Sequence, residues 1–324
     1  MHDLDDLRRE LKLPEAGPES ILATAYGRLG DDLLERLRGS FVLVLWDPAA
    51  KRGIVARDQL GARSLFLHRS GRRLLLASEL RDLLRVIPSR PGPDRLAVLD
   101  WLARAKVPAG RTLYDGIQPL RPAHFLRLEE RSGEPHCYWE LRYRSPRSLS
   151  RAEATEELRH ELQRAVGRHI GDAGITGLML SGGIDSSAIA AAALPVCESR
   201  GVVLRTYSAV FPAEESVDES ALIDTVTQTF GLDGVRMAPK GGSALAGALD
   251  YLDRFEVPLV SGQHFIWRPL LRRLLEAVVE GVGQSVQEPG RLLPALGRAH
   301  DLLGGGRERL PERVQEHREA GHGE

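Results

Sequence analysis

The sequence predicts two folds in series: an α+β half built on antiparallel β layers, then an α/β half with a doubly wound parallel sheet. Three observations predict this. Residues 41–77 hold four short β-rich runs parted by turn-length gaps, the pattern of successive hairpins. Residues 175–255 alternate apolar runs with helical stretches, the βαβαβ order that makes strands parallel. The run Leu178-Met179-Leu180-Ser181-Gly182-Gly183-Ile184-Asp185-Ser186-Ser187 reads as a buried strand, a glycine turn and the start of a helix.

The totals fit two domains. The chain has 324 residues, of which 42% are hydrophobic, enough for packed cores. The 44 basic and 45 acidic side chains nearly cancel, so charge argues against a nucleic-acid or membrane partner. Lysine occurs only at Lys12, Lys51, Lys106 and Lys240. Cys137 and Cys197 match no metal spacing and fit a reducing compartment. No apolar run reaches transmembrane length, and Met1-His2-Asp3-Leu4-Asp5-Asp6 is too acidic for a signal peptide, so a soluble cytoplasmic protein is expected.

In chain order, Leu4, Leu7 and Leu11 predict a helix over 3–11, broken by Pro14, Gly17 and Pro18. Residues 19–38 read as two helices divided near Gly30. Strands are expected at Phe41 to Trp46 and Gly53 to Arg57, joined by Asp47-Pro48. Leu65 to His68 and Leu74 to Ala77 flank the turn Arg69-Ser70-Gly71. Ser78-Glu79-Leu80 opens a short helix to Arg85, and Asp94 caps another over 94–104. Thr112 to Ile117 and Ala123 to Leu128 read as turn and strand, and residues 129–150 have linker composition. Ser150 and Glu153 form a capping box for a helix ending near Gly171, with an apolar stripe of Ala154, Leu158, Leu162, Ala165 and Val166. Strands at 175–180, Val202 to Val210 and Val235 to Ala238 then alternate with helices at 185–193, 218–230 and 243–255.

The glycine turn carries the chemistry. Gly182 and Gly183 permit a tight turn and let backbone N–H groups approach a ligand, while Asp185, Ser186 and Ser187 cap free donors. A helix N-terminus behind such a turn favours an anion. No lysine follows the glycines, so this is not the Gly-Lys-Ser/Thr phosphate loop. The bland alternative is an ordinary strand–turn–helix with a Ser/Asp cap. Leu180 and Val210 sit at carboxyl ends of strands, where their backbones could meet adenine or simply pack in the core.

Ser181-Gly182-Gly183-Ile184-Asp185-Ser186-Ser187 closely resembles the pyrophosphate loop of the ATP pyrophosphatases, which split ATP between its α and β phosphates and transfer AMP to an acyl group. The resemblance implies ATP and Mg²⁺ as cofactors. Ser181, Gly182, Gly183, Ser186 and Ser187 would hold pyrophosphate, Leu180 and Val210 would meet adenine, and Asp185 would bind Mg²⁺.

The first half resembles the glutamine amidotransferase domain of asparagine synthetases. The matching segments are Gly39 to Asp47, Arg57-Asp58-Gln59-Leu60-Gly61-Ala62-Arg63-Ser64-Leu65-Phe66, Ala77 to Leu84 and Gly116 to His124. The resemblance spans roughly residues 4–280 and includes relatives that close β-lactams and lasso peptides. It implies a degenerate amidotransferase-like domain of the N-terminal-nucleophile type over 1–128 and a linker over 129–150. An incomplete ATP pyrophosphatase domain over 151–280 and a divergent, disordered tail over 281–324 complete the expected organisation.

The departures matter as much. The family's nucleophilic cysteine follows the initiator methionine, where this chain has His2. Gly17-Pro18-Glu19 stands where the family grips the glutamine amine. The segment with the clamping Arg and the Asn-Gly oxyanion donors is absent. No glutaminase activity is therefore expected. Asp218-Glu219 and Glu256-Val257-Pro258 with Gly262-Gln263-His264 match family positions, yet carboxylates at a helix start need no function. Arg57, Asp58 and Glu79 are expected to be structural ion pairs or caps. After Val278 the family's second loop, Ser/Asp-Gly-x-Gly-x-Asp-Glu, is replaced by Glu280-Gly281-Val282-Gly283-Gln284, and no lysine follows Lys240.

The expected function is that of an asparagine synthase-like, AMP-forming carbon–nitrogen ligase. It would act on aspartate or a specialised carboxylate, as a homodimer or beside a complete synthetase. The alternative is a non-catalytic or truncated member that at most binds nucleotide or a partner.

Overall fold

The computed structural model describes residues 4–258, apart from 72, 129–132, 144, 146, 172–173 and 239–242, together with 268–274 and 276. The chain divides into two compact units, Met1–Pro146 with Tyr251–Val260, and Arg147–Asp250 with Ser261–Glu324.

The first unit stacks helix, sheet, sheet and helix. α1 (Leu4–Leu11) is followed by α2 (Pro18–Leu29), which begins on Pro18. A 3₁₀ turn at Gly30–Asp32 then leads into α3 (Leu33–Arg36). One antiparallel sheet has the order β1-β2-β6-β7 and comprises β1 (Val42–Asp47), β2 (Arg52–Arg57), β6 (His124–Leu128) and β7 (His136–Cys137). The other, β4-β3-β5, comprises β3 (Phe66–Ser70), β4 (Arg73–Ala77) and β5 (Ile117–Pro119). α4 (Leu80–Val86) and α5 (Arg95–Arg104) complete the unit.

Side-chain alternation along the strands decides the layering. Ile54 and Ala56 of β2 pack with Leu7, Ile21 and Leu33 of the first three helices. Val55, between them, faces the second sheet with Leu65, Leu67 and Leu120. In β3, Leu67 points to the first sheet while Phe66 joins Leu80, Leu83 and Leu84 of α4. Each sheet thus buries both faces, the antiparallel layered fold expected. The reading of 129–150 as linker missed β7, a two-residue edge strand whose polar, exposed residues carry no period-2 signal.

Arg57 and Asp58 serve as scaffold. Asp58 is 1% exposed. Its carboxylate accepts from the backbone N–H groups of Leu60, Ala62, Arg63 and Phe41 at 3.2, 2.9, 3.1 and 3.4 Å. The Arg57 guanidinium donates to the carbonyls of Gly61, Arg63 and Leu120 at 2.8, 2.5 and 2.6 Å. Burial holds its pKa below the usual arginine value. Both are therefore structural, as expected, and act by bonding the backbone of the 60–63 loop together with Phe41 and Leu120 rather than as an ion pair. Glu79 is the N-cap residue of α4, but its side chain makes no cap bond.

The second unit begins with α6 (Arg151–Gly167), whose Ser150 and Glu153 form the full reciprocal capping box. It ends at Gly167, short of Gly171. The expected apolar stripe is not a core face along its length: Leu158 is 68% exposed, and of the five residues only Val166 joins a buried cluster. Gly167 lies beside Val196 of α7, so α6 packs through its last turns.

β8 (Ile175–Met179), α7 (Ile184–Arg200), β9 (Val203–Ala209), α8 (Ser220–Phe230), β10 (Asp233–Met237) and α9 (Ala244–Phe255) follow, the last residues of α9 from Tyr251 on belonging to the first unit. The three strands are parallel in the order β10-β9-β8. Leu178 packs with Ala193 and Cys197 of α7, while a Cβ on Gly177 would lie 2.9 Å from Leu274 in the helical segment 268–274. Neighbouring strand residues point to opposite faces, so both faces of the sheet are covered. The described strands advance in one direction only; the second direction of a doubly wound sheet is not among the described residues. α7 runs on to Arg200, past Pro195, where a stop near residue 193 was expected. Among the described residues, no helix is long and apolar enough to cross a membrane.

Candidate functional site

The site forms where β8 ends and α7 begins. Leu180 is 2% exposed and fixed from both sides: its N–H donates to the Tyr207 carbonyl at 2.9 Å, and its carbonyl accepts from the buried Ser208 hydroxyl at 2.7 Å. Gly182 then turns the chain with φ +78°, a conformation that disfavours a Cβ. A Cβ there would also lie 2.6 Å from Leu222 Cβ and 2.9 Å from the Ile223 nitrogen of α8. Gly182 thus lets the loop lie against a neighbouring helix, while Gly183 is the N-cap residue of α7 without a side-chain cap.

Hydroxyls organise the loop from within. The Ser181 N–H donates to Ser186 Oγ at 3.3 Å, and the two hydroxyl oxygens lie 3.1 Å apart. The Gly183 N–H donates to Ser181 Oγ at 3.3 Å, and Ser187 Oγ donates to the Gly183 carbonyl at 2.8 Å. The N–H groups of Gly182, Ile184, Asp185 and Ser186 have no acceptor among the described residues. Ile184 is 89% exposed and Asp185 is exposed beside it, so the helix start faces solvent. A short turn with open N–H groups, three hydroxyls and one exposed carboxylate can hold an anion with its counter-cation.

Hydrogen bonds around the loop tie neighbouring elements together. Asp218 Oδ1 accepts from the Phe211 N–H and the Ser220 hydroxyl, both at 2.8 Å, tying the end of β9 to the start of α8. These bonds, with Arg236 nearby, hold its carboxyl below the usual aspartate value. The Val210 N–H donates to the Met237 carbonyl at 3.0 Å. Leu180 and Val210 therefore have their amide donors committed to the fold, and the Leu180 carbonyl also takes the Ser208 hydroxyl, so the Val210 carbonyl is the backbone acceptor without a partner among the described residues. Ser208 was not among the expected residues; its sole sequence signal is a polar residue within an apolar strand.

Glu256 belongs to the first unit, where its carboxylate takes hydrogen bonds from the Tyr114 hydroxyl and Arg90. His264, the segment Glu280 to Gln284 and the tail 281–324 lie outside the described residues. Among the described residues, no group of three His, Cys, Asp or Glu side chains could hold a metal.

Two families of known proteins match the chain in turn. A family described as a glutamine amidotransferase domain matches residues 4–139, and one described as asparagine synthase matches residues 157–278. Asparagine synthetase [glutamine-hydrolyzing] 3 of Bacillus subtilis (strain 168) is 27% identical over 71% of this chain and 40% of its own length. Amidase chry2 of Gibberella zeae is 27% identical over 85% of this chain and 45% of its own. Amidase chyE of Penicillium rubens is 29% identical over 79% and 39%. The chain thus spans less than half the length of these three relatives.

Proposed function

Because this chain belongs to the asparagine synthetase family, we propose that residues 181–187 are the pyrophosphate cradle of an ATP-dependent, amide-forming activity. The observation that carries this reading is the set of open N–H groups at Gly182, Ile184, Asp185 and Ser186 around a turn that only glycine fits. Diphosphate oxygens would take those donors and replace the contact between the Ser181 and Ser186 hydroxyls. The Val210 carbonyl would receive the adenine amino group, with Leu180 lining the base.

The donor set fits Mg²⁺, which takes one or two carboxylates and completes its shell with phosphate oxygens and water. Asp185 would supply the carboxylate from this loop. The ion would neutralise charge on the diphosphate. In the proposed reaction a substrate carboxylate oxygen attacks the α-phosphorus, expelling pyrophosphate. An amine then attacks the acyl carbon, expelling AMP. The loop's task is to hold the leaving diphosphate as its charge develops. The acid is aspartate or a specialised carboxylate.

Ammonia release from glutamine is not proposed for this chain. Cys197 is buried among Ala193 and Leu204, and burial pushes its thiol up. Cys137 donates to the Trp139 carbonyl at 3.2 Å on an edge strand. The Cys197 thiol, buried and pushed up, is not a poised thiolate.

A second reading is nucleotide binding without turnover. The sequence favours it because no carboxylate pair follows Gly281-Val282-Gly283 at the family's spacing. ATP–pyrophosphate exchange with a panel of carboxylic acids separates the two. Exchange that depends on one acid supports the ligase. Mg-ATP binding without exchange supports the second reading.

A further inference from the structure

We propose that the first unit carries a separate oxyanion pocket, formed by Arg81 and Arg85 of α4, that binds a small carboxylate- or phosphate-bearing molecule. The site is an open surface cleft of about 370 Å³ lined by Arg81, Leu84, Arg85, Arg90 and Glu256. That volume suits a small metabolite. Arg81, Leu84 and Arg85 are spaced i, i+3, i+4, which puts them on one helix face. Leu84 is anchored in the core beneath α4, so it gives the two guanidinium groups a fixed apolar floor.

The opposite wall is electrically satisfied. Arg90 donates to Glu256 at 2.9 Å and lies over the Tyr114 ring, 5.3 Å from its centroid. The Tyr114 hydroxyl bonds the same carboxylate oxygen. The Glu256 side chain is 17% exposed, and its charge is matched by Arg90, so it presents little repulsion to an incoming anion.

Arg81 and Arg85 are held differently. Arg81 meets Asp253 at 3.6 Å, beyond hydrogen-bond length, and that carboxylate is 89% exposed. Arg85 pairs with Asp82 at 3.0 Å, both side chains being more than half exposed. Exposed pairs of this kind contribute about 0–1 kcal/mol. Either guanidinium can exchange its partner for a ligand that offers two oxygens in one plane. No nucleophile lines the cleft, so its role is binding.

The test is calorimetric titration of the full chain with inorganic phosphate and, separately, succinate. Arg81→Ala/Arg85→Ala is expected to weaken the bound probe about tenfold or more. Loss of phosphate binding identifies a phosphate-bearing ligand class, and loss of succinate binding a carboxylate. Should the double variant fail to fold, Arg85→Glu, at an exposed side chain, is expected to abolish binding by itself. Failure of both probes to bind at millimolar concentration overturns the proposal. So does binding that the variants leave unchanged, which would place the anion elsewhere.

Discussion

The Ser181 and Ser186 hydroxyl oxygens lie 3.1 Å apart, so the loop closes on itself through two groups that a phosphate would otherwise engage. Ser186→Ala removes the acceptor of the Ser181 N–H and one donor to the proposed ligand. Mg-ATP affinity should fall about five- to tenfold, near 1 kcal/mol, the usual value of one such bond. Stability in urea should change by less than about 1 kcal/mol, because the hydroxyl is only partly buried. Calorimetry and urea unfolding on the same variant check both halves.

Gly182→Ala should disrupt the loop. The residue has φ +78°, and the new methyl would lie 2.6 Å from Leu222 Cβ. Left-handed backbone costs roughly 1–2 kcal/mol and overpacking roughly 1–3 kcal/mol, so a loss of about 2–4 kcal/mol is expected. Gly183→Ala, whose Cβ would lie 3.4 Å from Ser181 Oγ, is the milder control. Urea midpoints should rank the wild type and Gly183→Ala above Gly182→Ala.

Asp58→Ala should destabilise the first unit more than any surface change. It removes the acceptor of the buried Phe41 N–H and of the partly buried N–H groups of Leu60, Ala62 and Arg63. A buried donor left unpaired costs about 1–3 kcal/mol and each partly buried bond lost about 0.5–1.5 kcal/mol, so a total of roughly 3–5 kcal/mol is expected. Chemical unfolding followed by the fluorescence of Trp46, a residue of this unit, reads it.

The Asp218 carboxylate should give the second unit an acid-sensitive component. Its folded pKa lies below the ordinary value, owing first to the Phe211 N–H and then to the Ser220 hydroxyl. The stability it contributes is therefore fully present above the unfolded pKa and lost as pH falls through the folded one. Asp218→Asn should be less stable than wild type at neutral pH, and the gap should close below about pH 4. Thermal melts across that range check the sign.

Much of this was legible because local chemistry and tertiary structure agree. Ser150 and Glu153 form their capping box, Asp94 caps α5 through the Ala97 N–H, and the hairpins at 42–57 and 66–77 pair as their alternation predicts. The glycine turn was legible because so few sequences fit a positive φ against a helix. The failures share one cause, the dependence of a segment on neighbours distant in sequence. β7 exists because β6 offers an edge, not because His136 and Cys137 favour a strand. Leu158 has helical spacing with its neighbours yet projects into solvent, since α6 packs only through its last turns. Period cannot reveal that Leu180 and Val210 have their N–H groups committed to Tyr207 and Met237.

The most direct measurement is calorimetric binding of magnesium pyrophosphate to the wild type and to Asp185→Ala. If residues 181–187 cradle the diphosphate, the wild type binds and the variant, with its fold intact, loses at least about tenfold in affinity. Equal affinity in both proteins would contradict the assignment of this loop.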